Sequence, residues 1–262
     1  MKALSNLAQS VRASTTLAID TQFNKMRSEG IDVIGFSVGQ PDFPTPEHIK
    51  QAGIRAIQEN LTKYTPTPGT PAVRKAVADR LDADWGLDYT PEEIVVSGGG
   101  KPILYVALKT LIDPGDEVIL PAPSWVSYYE LIKMVGGVPV VVTTTEENGF
   151  NLTPEQLQAA ITPKTKALML NSPSNPTGMI YSREHLEDIA QVCLDNDLYV
   201  IADEMYSKLV FDNKEFVSFP TLSQEIKART ILVGGASKTY AMTGWRIGFA
   251  AASKEIVQVI FM

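Results

Sequence analysis

Short apolar runs that end in glycine, asparagine or aspartate alternate with amphipathic stretches long enough for helices. This alternation narrows most sharply what the chain can fold into. Ile94 to Val96 runs into Ser97-Gly98-Gly99-Gly100 and opens a helix through Leu104 and Leu108. The spacing then predicts a strand over Glu117 to Leu120, a helix after Trp125, and a β-branched strand over Val138 to Thr143. It also predicts a strand buried on both faces over Lys166 to Leu170, and strands over Leu198 to Ala202 and Thr230 to Val233. Leu186, Ile189, Ala190 and Cys193 form one stripe of a helix over Ser182 to Asn196, which makes Cys193 a core residue. Strands separated by helices indicate a largely parallel, doubly wound α/β sheet, and ligands of such sheets sit beyond the carboxyl ends of the strands.

Helix starts are equally legible. Thr45 reads as an N-cap with Pro46 in the first turn of a helix carrying Ile49, Ile54 and Ile57. Thr90-Pro91-Glu92-Glu93 and Thr153-Pro154-Glu155-Gln156 both follow the capping-box pattern, in which a threonine hydroxyl and a glutamate or glutamine satisfy each other's backbone amides.

Composition excludes several classes. The 262 residues carry 23 Lys and Arg against 30 Asp and Glu, a net charge of −7 without runs, so the basic footprint that nucleic acid requires is missing. One cysteine rules out an internal disulfide and fits a reducing compartment, and two histidines far apart in sequence, His48 and His185, argue against a zinc centre. Polar residues break the N-terminus before a secretory apolar core can form, and no apolar run approaches the roughly 20 residues that span a bilayer. A cytoplasmic protein is expected.

Three strand ends hold the residues of interest. Gly98-Gly99-Gly100-Lys101 could hold a phosphate on backbone amides at a helix start, but a tight turn explains the glycines as well, and the P-loop pattern is absent. Asn171 to Gly178 could be a proline-restrained loop or a binding loop. Asp203 ends a buried strand, where a carboxylate must be paired or hydrogen-bonded, so a structural salt bridge and a cofactor contact compete.

The deciding segment is Gly235-Ala236-Ser237-Lys238-Thr239-Tyr240-Ala241-Met242-Thr243-Gly244-Trp245-Arg246-Ile247-Gly248. A lysine among small residues, with an arginine eight positions later, resembles the signature of the class I aminotransferases, whose lysine carries pyridoxal 5′-phosphate as a Schiff base. Ser37-Val38-Gly39-Gln40-Pro41-Asp42-Phe43, the turn at Tyr64, Ser124-Trp125, Asn175-Pro176-Thr177-Gly178 and Asp203-Glu204 with Tyr206 occur in the family's order. The chain is most similar to the prokaryotic-type aspartate branch, some members of which also accept prephenate.

The resemblance implies a role for each matched residue. Lys238 is the nucleophile and then the base, Asp203 pairs with the pyridine nitrogen, and Asn175 and Tyr206 bond the ring's phenolic oxygen. Arg246, Ser237 and the amides of Gly99, Gly100 and Lys101 hold the phosphate, with Trp125 stacked on the ring. Tyr64 reaches the cofactor of a neighbouring subunit, which implies a homodimer. Gly39, Asn175 and Trp125 face the substrate, Lys101 binds its distal carboxylate, and a basic residue near Arg12 goes with use of prephenate.

The expected reaction is amino transfer between L-aspartate, or the prephenate/arogenate pair, and 2-oxoglutarate. A catalytically weak cofactor-binding module and another pyridoxal phosphate reaction such as β-elimination stay open, because the shared residues do not fix which bond to Cα breaks. Residues 1–44 read as an N-terminal arm with a small-domain segment and 45–262 as the large cofactor-binding domain. Two departures stand out. Gly235 occupies a place where the family often has serine. The sequence also stops at Met262, before the C-terminal small domain with its α-carboxylate arginine, so the apolar stretch Ile256 to Met262 is expected to lie uncovered.

Overall fold

The structure, a computed structural model, describes residues 2–12, 15–36 and 39–262. Seven strands form one sheet: β1 (Ile94–Ser97), β2 (Glu117–Ala122), β3 (Val138–Thr143), β4 (Thr165–Asn171), β5 (Tyr199–Asp203), β6 (Thr230–Gly235) and β7 (Gly248–Ala251). Their order is β1-β7-β6-β5-β4-β2-β3, and every neighbouring pair is parallel except the two that β7 makes with β1 and β6. The described helices are α1 (Asn6–Ser10), α2 (Thr15–Ser28), α3 (Glu47–Gln58), α4 (Pro71–Trp85), α5 (Gly100–Leu111) and α6 (Val126–Met134). They continue with α7 (Pro154–Ala160), α8 (Arg183–Asp195), α9 (Gln224–Arg229), α10 (Ala236–Thr239) and α11 (Lys254–Ile260).

Side-chain alternation along the central strands divides the core in two. Val118, Leu120, Ala167, Met169 and Ile201 face α5, α6 and α11, whereas Ile119, Leu168, Leu170, Val200 and Ala202 face α7 and α8. Both faces are covered, which is why these strands read as continuous apolar runs rather than alternating ones. Cys193 is fully buried in the second cluster, where burial pushes its thiol up to about 12. Among the described residues no helix is long and apolar enough to cross a membrane.

Both expected capping boxes form, Thr90 with Glu93 and Thr153 with Gln156. The structure corrects the sequence reading at three places, one of them a strand it did not mark. Thr45 does not cap α3: Pro46 takes the N-cap position without a side-chain bond. The Thr45 hydroxyl instead donates to the Ala241 carbonyl at 2.5 Å and accepts from Trp245 Nε1 at 3.1 Å, tying α3 to the loop after Lys238. The strand β7 lies in Gly248-Phe249-Ala250-Ala251, a sequence too short and too poor in β-branched residues to signal itself.

The third correction concerns Ile256 to Met262, expected to be uncovered. Ile256, Val257 and Ile260 fall on one face of α11 and are buried against the sheet and α5, while Val259 and Met262 face outward. Helical spacing turns only part of an apolar stretch to one side, and that side already has a partner here.

Candidate active site

The carboxyl ends of β1, β4, β5 and β6 meet at one rim, together with the start of β7, which runs the other way. Asp203, the last residue of β5, lies between Asn171 of β4 and Val233 of β6 in register. Its carboxylate is buried and accepts from the Tyr128 hydroxyl at 2.7 Å and the Met205 amide at 3.1 Å. These donors are a phenol and an amide rather than a cation, so the salt-bridge reading gives way. Burial raises the carboxyl's pKa above the ordinary aspartate range, an effect the two hydrogen bonds only partly oppose.

Lys238 sits in the short helix α10, directly after β6. Its ammonium donates to the Gly39 carbonyl and stands 5.9 Å from the centre of the Tyr206 ring. Partial burial, and secondarily the nearby Arg246 charge, depress its pKa, which favours the neutral, nucleophilic amine. Tyr206 in turn accepts from Asn175 Nδ2 at 3.3 Å. Asn171 knits the two loops together, accepting from the Asn175 amide at 2.8 Å and donating to the Asp203 carbonyl at 2.8 Å.

The glycines between β1 and α5 leave room for close approach. Gly99 adopts a positive φ of 112°, and a side chain there would strike the Arg246 guanidinium. Gly248, at the start of β7, lies so close to Gly99 that any side chain would collide with its backbone. The N-terminal amides of α5 and the Arg246 fork thus share one small-residue cradle of the kind that suits a phosphate. Arg246 is held there in a left-handed backbone conformation, φ 59°, and bonds the Thr243 carbonyl at 2.9 Å. Gly235 has a structural reason for not being serine: its Cβ would lie 2.9 Å from both the Ile247 carbonyl oxygen and the Met205 methyl.

Trp125 caps α6, meets Tyr128 edge-on at 5.4 Å, and carries the Lys101 ammonium 4.9 Å from its ring centre. Ser237 is buried within α10. Two of the sequence candidates lie apart from this cluster. Tyr64 projects fully into solvent on the loop before α4, and Arg12 is exposed, its amide donating to Glu130 of α6 at 3.2 Å. Ser37 and Val38 lie outside the described residues.

Tyr128 is the site residue that sequence reasoning missed. Ser-Tyr-Tyr on a helix signals only packing, although a tyrosine three places after Trp125 lies on the same helix face and could have been marked. Removing its hydroxyl leaves one buried Asp203 oxygen without a donor. Tyr128→Phe should therefore lower the unfolding free energy by about 1–3 kcal/mol at neutral pH in the cofactor-free protein, measured by urea denaturation. An unchanged midpoint would show that the hydroxyl contributes nothing to holding Asp203.

A lysine, a buried carboxylate and a glycine-lined cradle around an arginine on the rim of this mixed sheet define a protein class, and the family match agrees with it. Residues 31–260 match the model of aminotransferase class I and II, and the chain belongs to that family. It is 47% identical over 257 residues to an aspartate aminotransferase of Bacillus sp. strain YM-2, and 42% identical over 260 residues to the aspartate/prephenate aminotransferase of Thermus thermophilus. These alignments cover 98–99% of this chain and 66% of each relative, so the chain spans just under two thirds of their length. Among solved structures, aspartate aminotransferase from T. thermophilus with maleate superposes with a TM-score of 0.95 at 42% identity, covering 99% of this chain and 67% of that one.

Proposed function

We propose that this chain holds pyridoxal 5′-phosphate at the rim and, with it, transfers the amino group between L-aspartate and 2-oxoglutarate, with prephenate and arogenate as a further pair. The observation that carries the reading is the buried Asp203 carboxyl, which lacks a cationic partner in its hydrogen bonds and sits on the same rim as the half-buried Lys238 and the Gly99–Arg246 cradle. The donor set fits the cofactor. Asp203 would pair with a protonated ring nitrogen, Arg246 and the α5 amides would hold the phosphate, and Asn175 and Tyr206 would present hydrogen-bonding groups to the phenolic oxygen.

When bound, pyridoxal phosphate supplies an electron sink for the negative charge left at the substrate Cα. The chain's own groups do the rest. Lys238 Nζ, whose pKa burial and the Arg246 charge lower toward the neutral amine, would take the Cα proton and later give it back. Asp203 would keep the ring nitrogen protonated, and Trp125 would stack on the ring. Two relatives support the substrate: the Bacillus protein is an aspartate aminotransferase, and the T. thermophilus structure was solved with maleate, a dicarboxylate.

Tyr64, projecting from its own subunit, is assigned to the cofactor phosphate of a second copy, which makes the assembly a homodimer. Residues 1–44 serve as its arm and small-domain segment, 45–262 as its cofactor domain, and the cytoplasm is the assigned compartment. The test is an absorption spectrum of the purified protein with pyridoxal phosphate, followed by L-aspartate and 2-oxoglutarate with glutamate as the readout. A visible band and glutamate formation are expected; a chain that gives neither does not have this function.

Lys101 is the proposed dicarboxylate contact, free to swing from the Trp125 face. Lys101→Ala should weaken aspartate more than a monocarboxylic amino acid, by the roughly 1.5–3 kcal/mol of a charge-assisted hydrogen bond. Equal losses in kcat/KM for both substrates would assign Lys101 to the phosphate or the fold.

A further inference from the structure

Glu204 follows Asp203 and takes no part in the chemistry above, yet it is one of the most deeply buried carboxyls among the described residues, at 6% exposure. Its backbone amide still donates to Val233 of β6 at 2.9 Å, so its position is fixed by the sheet. Its side chain reaches across to the far end of the following loop. Oε2 accepts from the Ser218 hydroxyl at 2.7 Å, and Oε1 accepts from the Phe219 amide at 2.8 Å. Ser218 and Phe219 are themselves buried, at 1% and 2% exposure.

The loop closed in this way runs from Met205 to Val217 and holds no helix or strand. It carries three residues that matter at the rim: the Met205 amide on Asp203, the Met205 methyl against Gly100 and Gly235, and Tyr206 on Asn175. Its tip is open, with Phe211 largely exposed. A cavity of about 270 Å³ between α4 and the sheet is lined in part by Glu204, Ser207, Trp85 and Phe249, so the loop base is not packed on that side. The far end of the loop is packed, with Phe216, Val217 and Phe219 buried, so the polar clasp ties the end that borders the cavity to the end anchored in the core.

We propose that Glu204 is a positioning residue: its buried carboxyl clasps Ser218 and Phe219, closes the 205–217 loop at its base, and thereby sets Tyr206 against Asn175 and Met205 against Asp203. Burial pushes this carboxyl up to about 8, and glutamine keeps its size and both contacts, Oε1 accepting from the Phe219 amide and Nε2 donating to the Ser218 hydroxyl, which turns from donor to acceptor. The consequence for Tyr206 rests on the pyridoxal phosphate reading, whereas the clasp itself does not.

The experiment compares Glu204→Ala, Glu204→Gln and Ser218→Ala with the parent in two measurements. In the cofactor-free protein, amide hydrogen exchange over 205–219 should quicken by about tenfold or more in Glu204→Ala, less in Ser218→Ala, and stay near the parent in Glu204→Gln. In the loaded protein, the pH midpoint of the cofactor's visible band should rise by about one unit in Glu204→Ala and be restored in Glu204→Gln, because a loosened Tyr206 no longer favours the anionic phenolic oxygen. If Glu204→Ala does not fold, Ser218→Ala carries the same test with one bond removed. Unchanged exchange in the alanine variants, or a Glu204→Gln variant as loose as Glu204→Ala, overturns the clasp. Quickened exchange with an unmoved band overturns its link to Tyr206. A parent protein with no visible band defeats the pyridoxal phosphate reading instead and leaves the exchange result to decide the clasp.

Discussion

Replacing Lys238 with alanine should abolish amino transfer to within a factor of about 10⁴ or more below the parent, while the protein still folds and still takes up pyridoxal phosphate noncovalently. On the proposed function two losses coincide: the nucleophile that would anchor the cofactor, and the base that would move the Cα proton, which alone commonly contributes 10²–10⁴-fold. Folding should survive because Lys238 is half-buried and the hydrogen bond its ammonium makes is to the Gly39 carbonyl of a distant segment. Borohydride reduction of the loaded parent, followed by peptide mapping, should place the label on Lys238. Label on another lysine, or brisk turnover by the alanine variant, would remove Lys238 from this role.

The second large effect separates catalysis from stability. Asp203→Asn keeps the size of the side chain and can still bond Tyr128 and the Met205 amide, but it cannot hold a protonated ring nitrogen. Amino transfer should therefore slow by several orders of magnitude, as when a preorganised charge is removed from an active site.

Stability should move the other way in the cofactor-free protein. Burial raises the Asp203 pKa in the folded state, so folding binds this proton more tightly than the unfolded chain does. The stability tied to that proton is complete at acid pH and is lost as pH rises through the folded-state pKa. Asparagine has no proton to lose, so the melting temperature of the cofactor-free variant should gain on that of the parent as pH is raised. A difference between the two that does not move with pH, or a variant that transaminates at the parent rate, would show that Asp203 is not a carboxylate held ready for a cation.

How far the sequence discloses this site depends on what kind of signal each residue leaves. Lys238, Arg246, Asn175 and Asp203 stand at strand ends marked by glycine, proline and asparagine, so local chain grammar and motif spacing coincide. The central strands announce themselves because burial on both faces leaves no polar alternation. Tyr128 and Glu204 leave no such mark: each acts through a partner 75 or 14 residues away in the chain, Asp203 and Ser218, and only the fold brings the pairs together. β7 was silent for the opposite reason, since two partner strands supply its order and its own residues need little β preference. Thr45 shows a third failure, a local cap outcompeted by long-range bonds to Ala241 and Trp245.

The reversed direction of β7 has a consequence for how this rim can change. Because β7 runs against β6, it begins rather than ends at the rim, and Gly248 pairs with Gly235 on one side and Ser97 on the other. The twelve residues Ala236 to Ile247 therefore form a single span whose two footings are fixed by the sheet, with the amine at one end and the guanidinium at the other. Lengthening or shortening that span would displace the two groups relative to each other, whichever residue was inserted or lost. The β5–β6 connection has no such limit beyond its clasp, and its tip projects into solvent. Natural variation in chain length should accordingly collect around residues 209–214 and avoid 239–245, so that the distance between the Lys238 amine and the Arg246 guanidinium is kept by counting residues rather than by any single contact.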